Sequence, residues 1–365
     1  MDNFKKYIFS DFSCDLWTYL QGTKKPILIY GMGNGADKII SVLERYGISY
    51  SDVFASDGFV RGHSYRGKVV ISYSDACEKY GDFIILLSFG THLDDVMEKI
   101  YALNEKHELY APDVPVCDGA LFNEDFFDSC MDKLIQARSL FFDEKSHLIF
   151  DNIIRFKLSG RLDFLKSTEE DERSVDALLP YHTYNSYVDL GAYNGDTIKK
   201  YTALCPNLKT IYAFEPDLRN FKKLNLYCNT INNIDIHTYN CASWDEDTIL
   251  TFSSSGNRNA SGAGTVSYKT KLIEIEAKRP DSVIASADFI KYDVEGAELR
   301  AIKGCAKILK SSSPDLLVSM YHKSEDLFEL PILVSSLCPN HKLFLRRLPY
   351  IPAWDLNLYA IKNHL

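Results

Sequence analysis

The sequence predicts an α/β protein with two parallel sheets, and three observations support this prediction. Apolar strand-like segments alternate with helical segments over most of the chain, which is the pattern of parallel sheets. The segments Ile27–Tyr30 and Tyr187–Leu190 each run into a glycine-containing turn that opens a helix. The length of 365 residues exceeds that of one average domain. We expect an N-terminal Rossmann-like α/β domain at residues 1–119, a helical connector at 120–183 and a second Rossmann-like domain at 184–365.

Composition limits the class of protein and its partners. The formal net charge is -9, which argues against a nucleic-acid partner because that function needs a basic face. No apolar run is long enough to span a bilayer, and the first residues lack the apolar core of a signal peptide. The nine cysteines are scattered and form no C-x-x-C pair, which favours reduced thiols over a zinc site or disulfides. We therefore expect a cytoplasmic protein, and the sequence leaves a homo-oligomer open.

The first glycine turn fits the fingerprint of a dinucleotide fold. Residues 31–36 read GMGNGA, which fits G-x-G-x-x-A, and the strand-like segment 52–57 ends in an acid. Such an acid is placed to bind a ribose hydroxyl. The candidate ligand residues are Gly31, Gly33, Asn34 and Asp57. The alternative is a Rossmann-type half-fold in which this turn serves only for packing and binds no ligand.

The second glycine turn, in the segment YVDLGAYNGDTI at residues 187–198, is a stronger candidate for a ligand site. It lies outside the carboxyl end of a strand, where open α/β sheets bind their ligands. Gly191 allows positive φ and a close approach to the backbone, and Asp196 and Thr197 are good helix-capping residues. Other residues that follow strands of this domain are expected at the same edge: Glu215 and Pro216, Cys241 and Ala242, Asp293 and Glu295, and His322.

Together these segments resemble the FkbM-type family of S-adenosylmethionine (SAM)-dependent methyltransferases. The resemblance rests on DLGAYNGDT, YAFEPD, NCA and DFIKYDVEGAELRAIKG, in that order, between residues 186 and 361. It implies the seven-stranded sheet of class I methyltransferases and usually an O-methyl transfer. Residues 25–116 resemble the small domain that precedes some sugar-modifying enzymes, where it holds a nucleotide sugar. The implied acceptor is a small molecule or glycan: a hydroxyl on a sugar, a glycan or a nucleotide sugar.

The resemblance also implies where the cofactor SAM binds. Asp189 lies near the α-ammonium group, which a carboxylate stabilises, and Glu215 accepts both ribose hydroxyls. The backbone of Cys241 and the side chain of Ala242 lie where the adenine rests. The alternative for Asp189 and Glu215 is ordinary helix capping. The complete set of expected cofactor contacts is Asp189, Gly191, Ala192, Tyr193, Asn194, Gly195, Asp196, Thr197, Glu215, Pro216, Cys241, Ala242, Asp293 and Glu295.

Asp293 and His322 are the candidate catalytic residues. Methyl transfer to a hydroxyl needs alignment of the two reactants, and a base that takes the proton adds to the rate. Asp293 is the first candidate for this role. His322 is the second, because neutral histidine accepts a proton near pH 7; its alternative is a hydrogen-bonded loop residue. Asp293 and Glu295 could instead share a Mg²⁺ ion, although two acids alone do not make a metal site.

Two departures from the family pattern concern the acceptor site. Many members carry an acid within the stretch that here spans residues 271–286, and many place a glutamate where this chain has Ser319 to His322. A Gly/Ser/Asn-rich loop is expected at residues 253–264. Two other functions stay open: an NAD-dependent or nucleotide-sugar-binding enzyme that uses the first glycine turn, and a scaffold with two degenerate nucleotide folds.

Overall fold

The protein is described here by a computed structural model that covers residues 2–60, 62–117, 119–254 and 271–363. Within these residues the protein has one five-stranded and one seven-stranded sheet, together with two small sheets. The expected α/β class with a large seven-stranded sheet is confirmed.

The five-stranded sheet lies in the N-terminal region. The helices of this region are α1 (Asp2–Ile8), α2 (Leu16–Gly22), α3 (Asn34–Arg45), α4 (Tyr73–Tyr80) and α5 (Asp94–Asn104). The strands are β1 (Ile27–Tyr30), β2 (Asp52–Ala55), β3 (Ser64–Tyr65), β4 (Lys68–Val69), β5 (Ile71–Ser72), β6 (Ile84–Leu87) and β7 (Glu108–Tyr110). The sheet has the parallel order β5-β2-β1-β6-β7, which is the Rossmann order 3-2-1-4-5.

Four helices follow and pack against both neighbouring regions. They are α6 (Glu124–Leu140), α7 (Glu144–Ser159), α8 (Leu162–Lys166) and α9 (Glu172–Asp176). Asn123, Asp143 and Asp171 cap the starts of α6, α7 and α9 through their side chains, as short polar residues do. The end of α7 touches the N-terminal sheet, since Ala111 N donates to Gly160 O at 2.8 Å.

The seven-stranded sheet lies in the C-terminal region. Its strands are β8 (Ser186–Leu190), β9 (Thr210–Phe214), β10 (Asp235–Tyr239), β14 (Phe289–Tyr292), β15 (Asp315–Ser319), β16 (His341–Arg347) and β17 (Leu356–Lys362), and a small sheet adds β11 (Ala242–Ser243), β12 (Thr248–Ser254) and β13 (Lys271–Lys278). The helices are α10 (Asp196–Leu204), α11 (Leu218–Cys228), α12 (Glu298–Gly304), α13 (Ala306–Ser312) and α14 (Asp326–Leu337). The last residues of the expected loop at 253–264, from residue 255 onward, lie outside the described residues.

The order and direction of these strands place the candidate site. The large sheet has the order β10-β9-β8-β14-β15-β17-β16, and β17 is antiparallel to both of its neighbours. The register pairs Leu190 with both Phe214 and Tyr292. The last residues of β8, β9 and β14 are therefore level, so the loops that follow these strands meet at one edge of the sheet.

The loop after β6 of the five-stranded sheet contacts the loop between β16 and β17 of the seven-stranded sheet. Thr91, after β6, exchanges two backbone hydrogen bonds with Ile351, in the loop between β16 and β17, at 2.8 and 2.9 Å. The Trp354 ring of the same loop covers Gly90, where an added Cβ would lie 2.5 Å from the ring. The carboxyl edge of the N-terminal sheet thus lies against a loop of the C-terminal region.

Candidate cofactor and acceptor site

The glycine loop after β8 is pressed against the ends of its two neighbouring strands. Gly191 N and Ala192 N both donate to Phe214 O, at 3.1 and 2.9 Å. Gly191 has φ +97°, and a Cβ at this position would lie 1.8 Å from the carbonyl oxygen of Asp293. Only glycine satisfies both the backbone angle and this close approach. The loops after β8, β9 and β14 therefore form one continuous surface.

Asp189 lies beneath this loop and is completely buried. Its carboxylate accepts a hydrogen bond from the Thr197 hydroxyl, in the first turn of α10. Its other oxygen accepts from Lys291 Nζ at 3.3 Å, and the same ammonium donates to Gly191 O at 3.1 Å. Asp189 therefore fixes the loop from below, with a buried cation beside it.

Glu215 joins the first and second loops of the site. One carboxylate oxygen accepts from Tyr193 N at 2.9 Å and the other from Asp217 N at 2.8 Å. Burial raises the pKa of Glu215 to about 7, against the opposing effect of these two backbone donors. The carboxylate thus changes its charge near neutral pH, at the end of the second strand.

Asn240 connects this turn to the start of β11. Its side-chain amide donates to Glu215 O at 2.9 Å and to Pro216 O at 3.1 Å. Cys241 and Ala242 follow it and are buried. The structure therefore brings these two residues next to the Glu215 turn, on the side away from the glycine loop.

Three other predicted residues face a different space. Asn194, Gly195 and Asp196 line a shallow cavity of about 330 Å³ between α10 and α11. Lys199, Lys223 and Tyr227 complete its lining. Glu215 and Gly191 do not line this cavity. The cavity is therefore a separate surface from the one that the loops after β8, β9 and β14 form.

Asp293 and Glu295 follow β14 in a tight loop. Glu295 has φ +54° and Gly296 has φ +89°. The loop is closed by Glu298, whose Oε1 accepts from Val294 N at 2.9 Å and from Gly296 N at 3.4 Å. The Asp293 carboxylate lies 3.5 Å from Lys291 Nζ and accepts from the Tyr321 hydroxyl at 3.3 Å.

His322 lies among the carboxylates of this loop. Its Nδ1 is 3.0 Å from Glu298 Oε1, and its Nε2 is 3.6 Å from Asp293 Oδ1 and 3.7 Å from Glu295 Oε2. The His322 and Glu298 side chains are completely buried, whereas that of Asp293 is 31% exposed. Burial alone would lower the pKa of His322, but Glu298, Asp293 and Glu295 together raise it to about 10.

The pKa values of the two acids of the loop are shifted in opposite directions. Burial works to raise the pKa of Asp293, but Lys291 and then His322 outweigh it, so that this pKa is lowered. Burial raises the pKa of Glu295, and His322 opposes that effect. The surroundings of Asp293 therefore favour its ionised form, and its side chain is partly exposed.

Lys291 is the functional candidate that the sequence interpretation missed. It touches Asp189, Gly191 and Asp293 at once. The available signal was a single lysine in the apolar strand FIKY. Strands at the centre of a parallel sheet are buried on both faces and are normally apolar throughout.

The first glycine turn has the expected backbone but uses its acid differently. Gly31 and Gly33 have φ of +106° and +107°, and Asn34 begins α3. The Asp57 carboxylate is exposed and accepts from Ser74 N at 3.0 Å and from the Ser74 hydroxyl at 2.7 Å. In this structure Asp57 therefore supports the first turn of α4, which Ser72 caps.

A segment of the N-terminal region reaches the Asp293 loop. Cys117 Sγ donates to Glu295 O at 3.0 Å, and Cys117 N donates to His322 O at 3.4 Å. Lys38 of α3 donates to the carbonyl oxygens of Pro115 and Val116. Residues 115–117 thus connect α3, which follows the first glycine turn, to the loop after β14, where the acceptor is expected to bind.

The strand order 3-2-1-4-5-7-6 with an antiparallel seventh strand, and a glycine loop after the first strand, define the class I methyltransferase fold. Within this class, residues 189–351 match the family model described as the methyltransferase FkbM domain. The resemblance to FkbM methyltransferases is thereby confirmed for that part of the chain.

Comparison with solved structures extends the similarity beyond this segment. The methyltransferase FkbM from Methylobacillus flagellatus is 20% identical, covers 98% of each chain and gives a TM-score of 0.73, so the two chains share a fold. Fibrillarin of Aeropyrum pernix, with natively bound SAM, is 13% identical over 52% of this chain and 74% of its own, with a TM-score of 0.34. A comparison with curated proteins gives no match. None of the helices in the described part of the chain is long and apolar enough to cross a membrane.

Proposed function

We propose that this protein transfers a methyl group from SAM to a hydroxyl of a sugar, a glycan or a nucleotide sugar. The observation that carries the proposal is the convergence of the loops after β8, β9 and β14, where Gly191 touches Asp293. This contact brings the expected cofactor loop against the expected acceptor loop. The FkbM domain match at residues 189–351 supports the same reaction.

The cofactor lies across the first three loops of the sheet in this proposal. The ribose hydroxyls donate to Glu215, and the adenine rests against Cys241 and Ala242. The methionine end lies over the glycine loop, from Gly191 to Tyr193, where the charge of Asp189 favours the α-ammonium group. Asp189 acts from beneath the loop, because its side chain is completely buried.

Asp293 is the residue proposed to orient the acceptor hydroxyl and to take up part of its proton. Its side chain is open to solvent and lies beside the glycine loop. His322 is the less suitable base, because a completely buried imidazole cannot touch an incoming oxygen. In this proposal His322 positions Asp293 from behind.

The aromatic residues at the junction of the two regions support a carbohydrate acceptor. The Tyr350 ring lies 5.4 Å from the His92 ring and 5.2 Å from the Trp354 ring. Aromatic faces offer rigid contact area at low entropic cost, and sugar rings pack on such faces. The first glycine turn, with Gly31, Gly33, Asn34 and Asp57, is the proposed place for the nucleotide part of a nucleotide sugar.

A ligand screen by thermal unfolding tests the proposed function. A ligand that binds only the folded state raises the melting temperature by mass action. SAM and S-adenosylhomocysteine (SAH) are expected to raise it, and UDP-sugars to raise it independently. A shift with NAD and none with SAM or SAH would replace the proposal by an oxidoreductase that uses the first glycine turn.

A further inference from the structure

We propose that Asp293, Glu298 and His322 bind a divalent transition-metal cation at the edge of the acceptor site. The role of this cation in catalysis rests on the proposed function, but its binding does not. Each of the three residues offers one ligand atom, and these atoms all lie within 4.8 Å of one another. They come from the loop after β14, the start of α12 and the loop after β15, so the fold brings together residues that the sequence separates.

Unpartnered buried atoms are the first argument for a cation. Among the described residues, Glu298 Oε2 and His322 Nε2 are buried and make no hydrogen bond, whereas His322 Nδ1 lies 3.0 Å from Glu298 Oε1. Leaving such a group unsatisfied costs about 1–3 kcal/mol, and buried polar atoms without partners call for a bound water or ion. Glu298 Oε1 already holds the loop, which leaves Oε2 free to coordinate.

The charge around His322 is the second argument. Three carboxylates, those of Asp293, Glu295 and Glu298, lie within 3.7 Å of its ring nitrogens. Lys291 Nζ lies 3.5 Å from Asp293 Oδ2, whereas His322 Nε2 faces Oδ1 of the same carboxylate. Three carboxylates that converge on one imidazole favour the binding of a cation between them.

The ligand set points to the kind of metal. One imidazole nitrogen with two carboxylate oxygens suits Mn²⁺, Fe²⁺ or Zn²⁺, whereas Mg²⁺ prefers oxygen ligands alone. The expected Mg²⁺ site at Asp293 and Glu295 is thus replaced by a site with a buried imidazole. Asp293 is partly exposed, so a cation here would face the acceptor space on its open side.

Calorimetric titration of the full chain with MnCl₂ tests the inference. The protein is first treated with EDTA, and SAH binding is measured in parallel. One Mn²⁺ per chain is expected, and Asp293→Asn, Glu298→Gln and His322→Gln should each weaken its binding by at least about tenfold. Asp315→Asn is the matched control. It removes a carboxylate that is also buried but lies at the opposite end of β15, paired with Tyr184, and Mn²⁺ affinity should not change.

Two results would overturn the cation site. The first is no Mn²⁺ binding by the wild type up to about 1 mM, the limit of weak association. The second is equal binding by the wild type and all three variants, which would mean an adventitious ion only. If circular dichroism shows that the two buried variants do not fold, Asp293→Asn decides. Intact SAH binding without Mn²⁺ binding refutes only this site, whereas loss of SAH binding by the wild type refutes the proposed function.

Discussion

Lys291 concentrates the electrostatics of the site in one side chain. Its ammonium lies within 3.5 Å of the carboxylates of both Asp189 and Asp293. One of these acids supports the glycine loop and the other belongs to the acceptor loop. A single buried cation therefore holds the cofactor side and the acceptor side of the site in a fixed arrangement.

Replacing Lys291 by methionine should lower the free energy of unfolding by about 3–5 kcal/mol. The substitution leaves the Asp189 carboxylate buried without its cation, and breaking a buried pair in this way has that cost. Denaturant unfolding measures the change. Lys99→Met is the control, because both side chains of the Lys99–Asp95 pair are exposed and such surface pairs contribute little to stability. Equal stability of both variants would show that Lys291 is not needed for this arrangement.

Asp293→Asn should lower kcat by about 10²–10⁴-fold, the usual contribution of general acid–base catalysis. A base acts in the transition state more than in the ground state, so the affinity for SAH should change little. Turnover is measured with the acceptor that the ligand screen identifies. If the variant keeps wild-type turnover, the chemistry does not depend on this carboxylate.

At the scale of elements, the glycine loop depends on its fit against the end of β14. Gly191→Ala forces a Cβ into the Asp293 carbonyl at 1.8 Å, in addition to the strain of φ +97°. Gly33→Ala is a matched control, because its φ is +107° but nothing lies within 4 Å of an added Cβ.

The two glycine variants should therefore differ in stability and in cofactor binding. Gly33→Ala should cost only the backbone strain, about 1–2 kcal/mol, and keep SAH affinity. Gly191→Ala should cost more and lose SAH binding, because the loop has to move away from Asp293. Unfolding and calorimetry measure both quantities. Equal losses of stability and of SAH affinity in the two variants would mean that the close approach of Gly191 to Asp293 contributes to neither.

The central strands β8, β9, β14 and β15 were predictable because each is largely apolar and is followed by a turn or a polar residue. The final hairpin, β16 with β17, was also expected from its pattern. The strand β13 was missed, although Ile275 and Ala277 alternate with Glu274 and Glu276 as in a half-buried strand. Its partner β12 is separated from it by a stretch whose Gly/Ser/Asn content predicted a loop. The pairing of β12 with β13 therefore could not be inferred from neighbouring residues in the sequence.

The site was predictable in its positions but not in its contacts. The edge of a parallel sheet follows from the topology, so residues after successive strands were expected together. The pairing of Lys291 with Asp189, and of His322 with Glu298, depends on which side chains face each other across strands and loops. A single sequence contains no such information, and for this reason His322 was expected as an accessible base although the structure shows it completely buried.

At the scale of the whole molecule, one apolar core runs through all three regions. The same cluster of buried residues contains Leu28 of β1, Phe150 of α7 and Leu316 of β15. Removal of the N-terminal region would therefore expose part of this core. A point variant at the junction is the cleaner test of whether this region contributes to the acceptor site.

Trp354→Ala should raise the KM for the acceptor by about tenfold, equivalent to about 1.4 kcal/mol. The ring is proposed to form part of the acceptor wall at the contact with Gly90. SAH affinity should remain at the wild-type value. Phe59→Ala removes an exposed ring of the N-terminal region and serves as the control. An unchanged KM for Trp354→Ala would exclude an acceptor site at this junction.

The measurement that tests the account most directly is calorimetric binding of SAH to the wild type and to Glu215→Ala, at pH 6 and pH 8. Ribose hydroxyls donate to the ionised carboxylate, and the pKa of Glu215 is about 7. Wild-type affinity should therefore rise as the pH increases through 7.

At pH 8, Glu215→Ala should bind SAH about 1.5–3 kcal/mol more weakly, as for a lost hydrogen bond to a charged group. Its affinity should also lose the pH dependence. Asp235→Ala, at the opposite end of the neighbouring strand β10, is the control and should bind like the wild type. Equal affinity of the wild type and Glu215→Ala at both pH values would contradict the placement of the cofactor.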